Sequence, residues 1–201
     1  FTPGAEGVTF TTSTDVDTVV DAVKQMVEDY NDILKTVRDL YATQPLTNTS
    51  NERYEPLTDA ERADMSESAI EAYEEKAKTG ILYMDSDLSS LYNSLRGVLT
   101  SNSGLLKSVG LSTSYSDGLT TLTLDEQALR QALESDPDAV EQAFTQSTEN
   151  GASVNGLMAS MSRVVNNYAS TTGATKGILI EKAGSKYSPT AALDNTMLDR
   201  M

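Results

Sequence analysis

Cysteine, histidine and tryptophan are all missing from this 201-residue chain. Their absence removes disulfides, thiol nucleophiles, zinc-finger spacings, His-based triads and His-ligated metals in one step. Basic residues are scarce as well: 15 Lys and Arg stand against 30 Asp and Glu, a formal net charge of −15. That sign argues against nucleic acid or an anionic membrane surface as a direct ligand and leaves basic partners open. Long apolar runs are lacking too. A stretch such as Ile81-Leu82-Tyr83-Met84 falls far short of the ~20 residues of a membrane span, so no membrane insertion is expected. What the chain has in quantity is small hydroxyl residues, 24 Thr and 22 Ser, a mix common in secreted bacterial surface proteins. Its length is enough for one domain, or two small ones, with a real core. The start at Phe1, with neither an initiator methionine nor a leader, suggests a piece of something longer.

The first fourteen residues read as one strand and a linker, with Glu6-Gly7-Val8-Thr9-Phe10-Thr11-Thr12 alternating apolar and polar. The clearest signal follows. With a heptad opened at Val16, positions a, d and e are Val16, Val19, Val20, Val23, Met26, Val27, Tyr30, Ile33, Leu34, Val37, Leu40 and Tyr41, all apolar. This wide stripe predicts a helix from about Asp15 to Tyr41, some 40 Å long at ~1.5 Å per residue, with Thr14 or Asp15 as N-cap. The stripe predicts a bundle rather than a coiled-coil seam with another subunit, because a strict a/d seam is narrower. Residues 42 to 58 are a polar loop carrying Pro45 and Pro56. Thr58-Asp59-Ala60-Glu61 then has capping-box form, Ser66 offers a second N-cap and Gly80 suits the position just past a helix end. Between Glu52 and Lys78, nine acids and four bases leave −5, a mostly solvated face.

Asp85 is expected to cap a core-facing helix carrying Leu88, Leu91, Tyr92, Leu95, Val98 and Leu99. Two runs, Val109 to Ser114 and Leu119 to Leu124, predict a β-hairpin around Tyr115-Ser116-Asp117-Gly118. Asp125 caps a short helix with Leu129 and Leu133 facing inward, and Asp136-Pro137 restarts another with Val140 and Phe144 facing inward. The a/d/e pattern returns between Ser153 and Thr172 through Val154, Leu157, Met158, Met161, Val164, Val165 and Tyr168, with Gly173 as terminator. This helix is expected to pack on the first one. The packing residues of the pair are taken as Val23, Val27, Tyr30, Ile33, Leu34 and Val37 with Leu157, Met161 and Val164, and an aspartate at Ile33 is expected to cost several kcal/mol. The tail from 173 to 201 leads through Ile178-Leu179-Ile180 and Pro189 into a helix from Ala191. The fold class is thus mainly α, an elongated helical bundle over residues 15–172 with a small hairpin at 109–124 and an N-terminal strand.

Catalytic inventory is thin. Asp85-Ser86-Asp87 and Asp136-Pro137-Asp138 resemble the start of calcium sites but sit where helix caps belong. No phosphate loop, dinucleotide fingerprint or Ser-x-x-Lys motif occurs, and no cofactor or metal is expected. Paired acids for glycoside hydrolysis stay open, since their separation is set by the fold. Tyr30, Tyr41, Tyr92 and Tyr168 fall on core stripes and are read as packing, with Tyr73 apart from them.

Three stretches together resemble the carboxy-terminal region of the flagellar filament cap, the hook-associated protein two family, also called FliD. The most specific runs from Tyr54-Glu55-Pro56-Leu57-Thr58-Asp59 through Met65-Ser66, then Tyr73-Glu74-Glu75-Lys76-Ala77-Lys78-Thr79-Gly80, Asp85, and Leu88 to Leu95. Tyr73 stands where that family more usually has tryptophan. A second runs from Leu122-Thr123-Leu124-Asp125 through Leu133 to Asp136-Pro137, Val140 and Phe144. The third is Val8 to Asn31, with strand, capped helix and Tyr30-Asn31 in order. The resemblance implies a structural protein and no enzyme. It would be exported by the flagellar secretion apparatus to the extracellular filament tip, where it oligomerises with itself, promotes flagellin polymerisation and serves motility and adhesion. It also implies a helical leg domain following head domains that precede Phe1, and a flagellar export chaperone as a partner through C-terminal sequence beyond Met201. Other axial proteins, flagellin or a hook-filament junction protein, and a carbohydrate-binding or hydrolytic surface protein are the alternatives. Net charge opposes self-association of this chain at low salt, so a monomeric or weakly associating species is expected.

Overall fold

The structure, a computed structural model, describes residues 15–145, 156–172 and 175–183. The N-terminal strand, Val154, Gly173 and the helix from Ala191 lie outside the described residues. Helix α1, Val16–Ala42, is the long axis of the fold. Its first turn is closed by Asp15, whose carboxylate accepts from the Thr18 N–H at 3.2 Å and from the Thr18 hydroxyl at 2.8 Å; these bonds hold the Asp15 carboxyl below its usual range. Two short helices follow, α2 (Asp59–Ala63) and α3 (Glu67–Lys78), and then α4, Ser86–Ser101. A turn of helix α5, Ser103–Ser108, leads into the antiparallel hairpin β1 (Leu111–Ser116) and β2 (Leu119–Leu124). Helices α6 (Glu126–Ser135), α7 (Pro137–Thr145), α8 (Leu157–Ala169) and α9 (Ile178–Ala183) complete the described chain. Mainly helical architecture with one small hairpin is therefore what this sequence builds.

The core gathers along α1. Buried Val20, Val23, Val27, Tyr30, Leu34 and Val37 repeat at steps of three and four, so the a and e positions of the stripe form the seam. The d positions do not join it. Val19 and Met26 are half-buried, whereas Ile33 is 50% and Leu40 43% exposed. An α-helix falls back by ~20° per heptad, which turns successive d residues steadily away from the core. Ile33 therefore corrects the expected packing set. Opposite the seam lie Leu88, Tyr92, Leu95, Val98 and Leu99 of α4, Leu122 of β2, and Leu129 and Leu133 of α6.

The expected pairing of α1 with the helix around Leu157 is also corrected. Helix α1 packs on α4, β2 and α6, while α8 packs on α4, α7 and α9. The two apolar stripes both find α4, whose buried residues and flanks serve each neighbour. Leu157 is fully buried there, with Met161 and Val164 half-buried against the core.

The hairpin turn is shorter than expected. Tyr115 and Ser116 belong to β1, and the turn is Asp117-Gly118 alone, with φ of 52° and 76°. Two successive left-handed residues match the twist of the flanking strands, the reason Asp-Gly is favoured in such turns. Arg38 of α1 holds it by donating to the Asp117 carbonyl at 2.8 Å.

Candidate functional site

Between α1 and α4 the chain leaves the bundle for some forty residues, and this excursion carries the Tyr54 to Gly80 motif. Its helices α2 and α3 have no buried residue, so local bonds rather than a core give it shape. Helix α1 ends where Thr43 donates from both N–H and hydroxyl to the Asp39 carbonyl, at 3.0 and 2.6 Å. A tight turn then brings Thr47 opposite Arg53 in an antiparallel bridge. Asn48 organises this turn: its side-chain oxygen accepts from the N–H groups of Ser50 and Glu52 at 2.9 and 3.0 Å. Asn51, with φ of 63°, takes the left-handed position that asparagine tolerates best after glycine.

The capping box read from the sequence is present. Thr58 N–H and hydroxyl donate to the Glu61 carboxylate at 2.8 and 2.6 Å, which holds that carboxyl below its usual range, and Glu61 N–H returns to the Thr58 hydroxyl at 3.4 Å. Arg62 at the end of α2 then pairs with Glu74 of α3 at 2.6 Å, tying the two helices. Tyr54 meets Tyr73 edge to face, with ring centroids 5.1 Å apart at 76°, and the Lys76 ammonium lies 5.6 Å from the Tyr54 ring.

Gly80 returns this lobe to the bundle. It has φ of +71°, and a Cβ there would lie 2.4 Å from the Pro45 nitrogen, so only glycine fits. Its carbonyl accepts from Arg53 at 3.3 Å. Further on, Met84 (φ 61°) donates its N–H to the Tyr41 carbonyl at 2.8 Å, satisfying one of the last orphan acceptors of α1. The result is a groove of about 240 Å³ lined by Arg53, Tyr54, Glu55, Pro56, Arg62, Glu74, Ala77, Lys78 and Ile81. Next to it Leu40, Ile81 and Leu82 line a second groove and form an exposed apolar strip, and Leu46, Tyr83 and Met84 are exposed as well. Among the described residues no cluster of three or more carboxylates has the arrangement of a metal site. The lobe presents an apolar strip beside mixed charge, which is the chemistry of a contact surface.

Comparison with known proteins bears on what that surface serves. The family described as "Flagellar hook-associated protein 2 C-terminus" matches residues 2–197. The chain belongs to this family. A flagellar hook-associated protein 2 from Halalkalibacterium halodurans is 36% identical over 141 residues, 67% of this chain and 26% of that protein. The chain thus spans about a quarter of the length of this relative. No solved structure matches it.

In this member of the hook-associated protein 2 family, the motif residues divide by place. Tyr54, Pro56, Tyr73 and Gly80 come together in the lobe, with Leu57 half-buried beside them. The others serve the bundle. Asp85 caps α4 by accepting from the Asp87 and Leu88 N–H groups, both at 2.9 Å, while Leu88 and Leu95 are core. Asp125 caps α6 through Ala128 at 3.0 Å; Asp136 closes α6 and accepts from Ala139 at 3.0 Å to open α7 at Pro137. Asp87 is taken up by an ion pair with Lys182 of α9, which holds that ammonium's pKa above its usual value. Each carboxylate of the two candidate calcium motifs that makes a bond is thus engaged in a cap or an ion pair.

Several positioning bonds were not visible in the sequence. Asn31, on the flank of the α1 stripe, donates its amide to the Leu122 carbonyl at 2.9 Å and accepts from the Leu122 N–H at 2.8 Å. Arg96 donates to the Thr120 hydroxyl at 3.0 Å. Tyr30 reaches across to the Leu95 carbonyl at 2.7 Å, and burial pushes its phenol far above the usual value. Tyr30-Asn31 stands in the sequence as part of the resemblance, but nothing in residue order marks the bonds that the two side chains make to Leu95 and Leu122.

Proposed function

We infer that this chain is the filament-facing helical part of a flagellar filament cap. The protein forms a homo-oligomer at the distal tip, is exported there by the flagellar secretion apparatus, and promotes flagellin polymerisation as a structural protein without catalysis. Residues 15–172 form the leg, 1–14 connect it to preceding head domains, and 173–201 form a tail. The observation that carries this reading is the lobe. Within the family's most specific stretch, Asp85, Leu88 and Leu95 serve the bundle, whereas Tyr54, Pro56, Tyr73 and Gly80 are spent on a surface outside the core, and such expenditure fits contact with a partner.

The reading is supported by the family membership and by the absence of histidine and cysteine, which leaves little for chemistry. Flagellin and a second cap subunit are the proposed partners, with an export chaperone meeting sequence beyond this chain. The test uses cells that lack their own cap protein and shed flagellin into the medium. The full-length protein carrying this region should restore filaments. A full-length Tyr54→Ala, Tyr73→Ala variant that folds, binds its own subunits and still fails to restore them would assign the lobe to filament contact. Shedding that continues with the unaltered full-length protein would overturn the reading.

A further inference from the structure

The two edges of the hairpin are finished differently. In a two-residue hairpin the pair flanking the turn exchanges both ladder bonds, so Ser116 and Leu119 are bonded to each other, as are Ser114 with Thr121 and Ser112 with Thr123. The N–H and C=O groups of the intervening residues point away from the hairpin. On β2 the outward pairs belong to Thr120 and Leu122; the Asn31 amide takes both groups of Leu122, behaving as one residue of a third strand, and Arg96 covers Thr120 through its hydroxyl. On β1 the outward pairs belong to Thr113 and Tyr115, and among the described residues no bond meets them. Every residue of β1 after Leu111 is exposed. Edge strands are commonly guarded by lysine, proline or a bulge, and Leu-Ser-Thr-Ser-Tyr-Ser has none of these.

We propose that the β1 edge is a self-pairing site, docking antiparallel on β1 of a second copy to join two hairpins into a four-stranded sheet. Charge selects the second copy as occupant. From Ser108 to Leu124 the one charged residue is Asp117, in a chain of net charge −15. In a chain with this excess of acid, two copies that meet along an almost uncharged hairpin meet with little repulsion. The residues of β1 point the same way. An isologous contact needs a self-complementary patch, and in Ser112-Thr113-Ser114-Tyr115-Ser116 small hydroxyl residues face one another about Ser114 without a charge or a bulky clash. With Ser114 opposite Ser114 across the two-fold axis, Thr113 of each copy faces Tyr115 of the other and their outward groups form the intermolecular ladder. The Tyr115 side chain, 69% exposed in the single chain, gains cover across the new strand pair. One strand pair buries less than the roughly 1,000 Å² of a stable interface, so the association is weak and strengthens with salt. This inference is independent of the capping function.

The test is sedimentation velocity on this chain from low micromolar to millimolar concentration, at low and moderate salt, with Thr113→Pro and Thr113→Lys beside it. The Thr113 N–H points outward, so proline leaves the β1–β2 ladder intact, and circular dichroism checks that it does. The unaltered chain should dimerise reversibly, and both variants should weaken dimerisation at least about tenfold. Hydrogen exchange at the Thr113 and Tyr115 amides should slow as concentration rises. A chain that stays monomeric at millimolar concentration overturns the proposal. So does dimerisation unchanged in both variants, which would place the contact elsewhere. Protection of the two amides at the lowest concentration would mean that the edge is occupied within the chain, and would overturn it as well.

Discussion

The bundle and the lobe are made from the same kinds of helix yet are held by different forces. In the bundle, α1 and α4 each bury five or more side chains, and contacts such as Tyr30 to Leu95 and Asn31 to Leu122 tie distant elements to that core. In the lobe, α2 and α3 bury none, and the restraints are separate polar and aromatic contacts: the capping box, the Asn48 turn, the Arg62–Glu74 pair, the Tyr54–Tyr73 edge contact and the Arg53 bond to the Gly80 carbonyl. Burial of apolar area is cooperative across a whole core, whereas such bonds act one by one. The bundle should therefore melt as a unit and the lobe should open ahead of it.

The largest contrast lies at two adjacent residues of α1. Leu34 is fully buried, and Leu34→Ala should cost about 3–5 kcal/mol of global stability in denaturant titration. Ile33→Asp, next to it, should cost under about 1 kcal/mol, because the new carboxylate stays in water. A severe loss at Ile33 would return it to the core and undo the rotation argument.

Gly80→Ala should cost about 2–3 kcal/mol through left-handed strain and the clash with Pro45. Its effect belongs to the lobe: amides of residues 43–84 should exchange faster while the unfolding midpoint of the bundle moves little. An equal shift in both would show that lobe and bundle are one cooperative unit.

Within the bundle, two buried tyrosines should respond in opposite ways. Tyr30→Phe deletes the bond to the Leu95 carbonyl and should cost about 1 kcal/mol near neutral pH. The Tyr92 hydroxyl is buried and has no hydrogen-bond partner among the described residues, so Tyr92→Phe should be neutral or stabilise by up to about 1 kcal/mol. Alkali sharpens the comparison. Burial raises the Tyr30 phenol above its unfolded value, so the folded state keeps that proton longer. This contribution is complete below about pH 10 and is lost as pH climbs beyond it. Stability should fall above that pH in the unaltered chain, and less steeply in Tyr30→Phe. The smallest effect is in the lobe, where a double-mutant cycle of Tyr54→Ala and Tyr73→Ala should return a coupling of about 0.5–1.5 kcal/mol.

What could be read from residue order follows the same division. Helix starts were legible because their signals are local: Asp15, Thr58 with Glu61, Asp85, Asp125 and Asp136-Pro137 each place a side-chain oxygen against a nearby N–H, whatever the rest of the fold does. The α1 stripe was legible in period but not in phase, so Ile33 was assigned to a core that passes one residue to its side. Partner choice was not legible, because an apolar stripe states that it needs cover and not which helix supplies it; α8 and α1 both turned to α4. Motif residues were visible as a pattern, yet the meeting of Tyr54 with Tyr73 and of Gly80 with Pro45 depends on a chain reversal that no periodicity encodes.

Native-state hydrogen exchange across a denaturant series tests the division most directly. Amides of α2 and α3 should exchange through openings of distinctly lower free energy and shallower denaturant dependence than those of Leu34 in α1 and Leu99 in α4. Convergence of all four helices on a single opening energy at zero denaturant would contradict a separately opening lobe, and with it the view that this surface is built to yield to a partner.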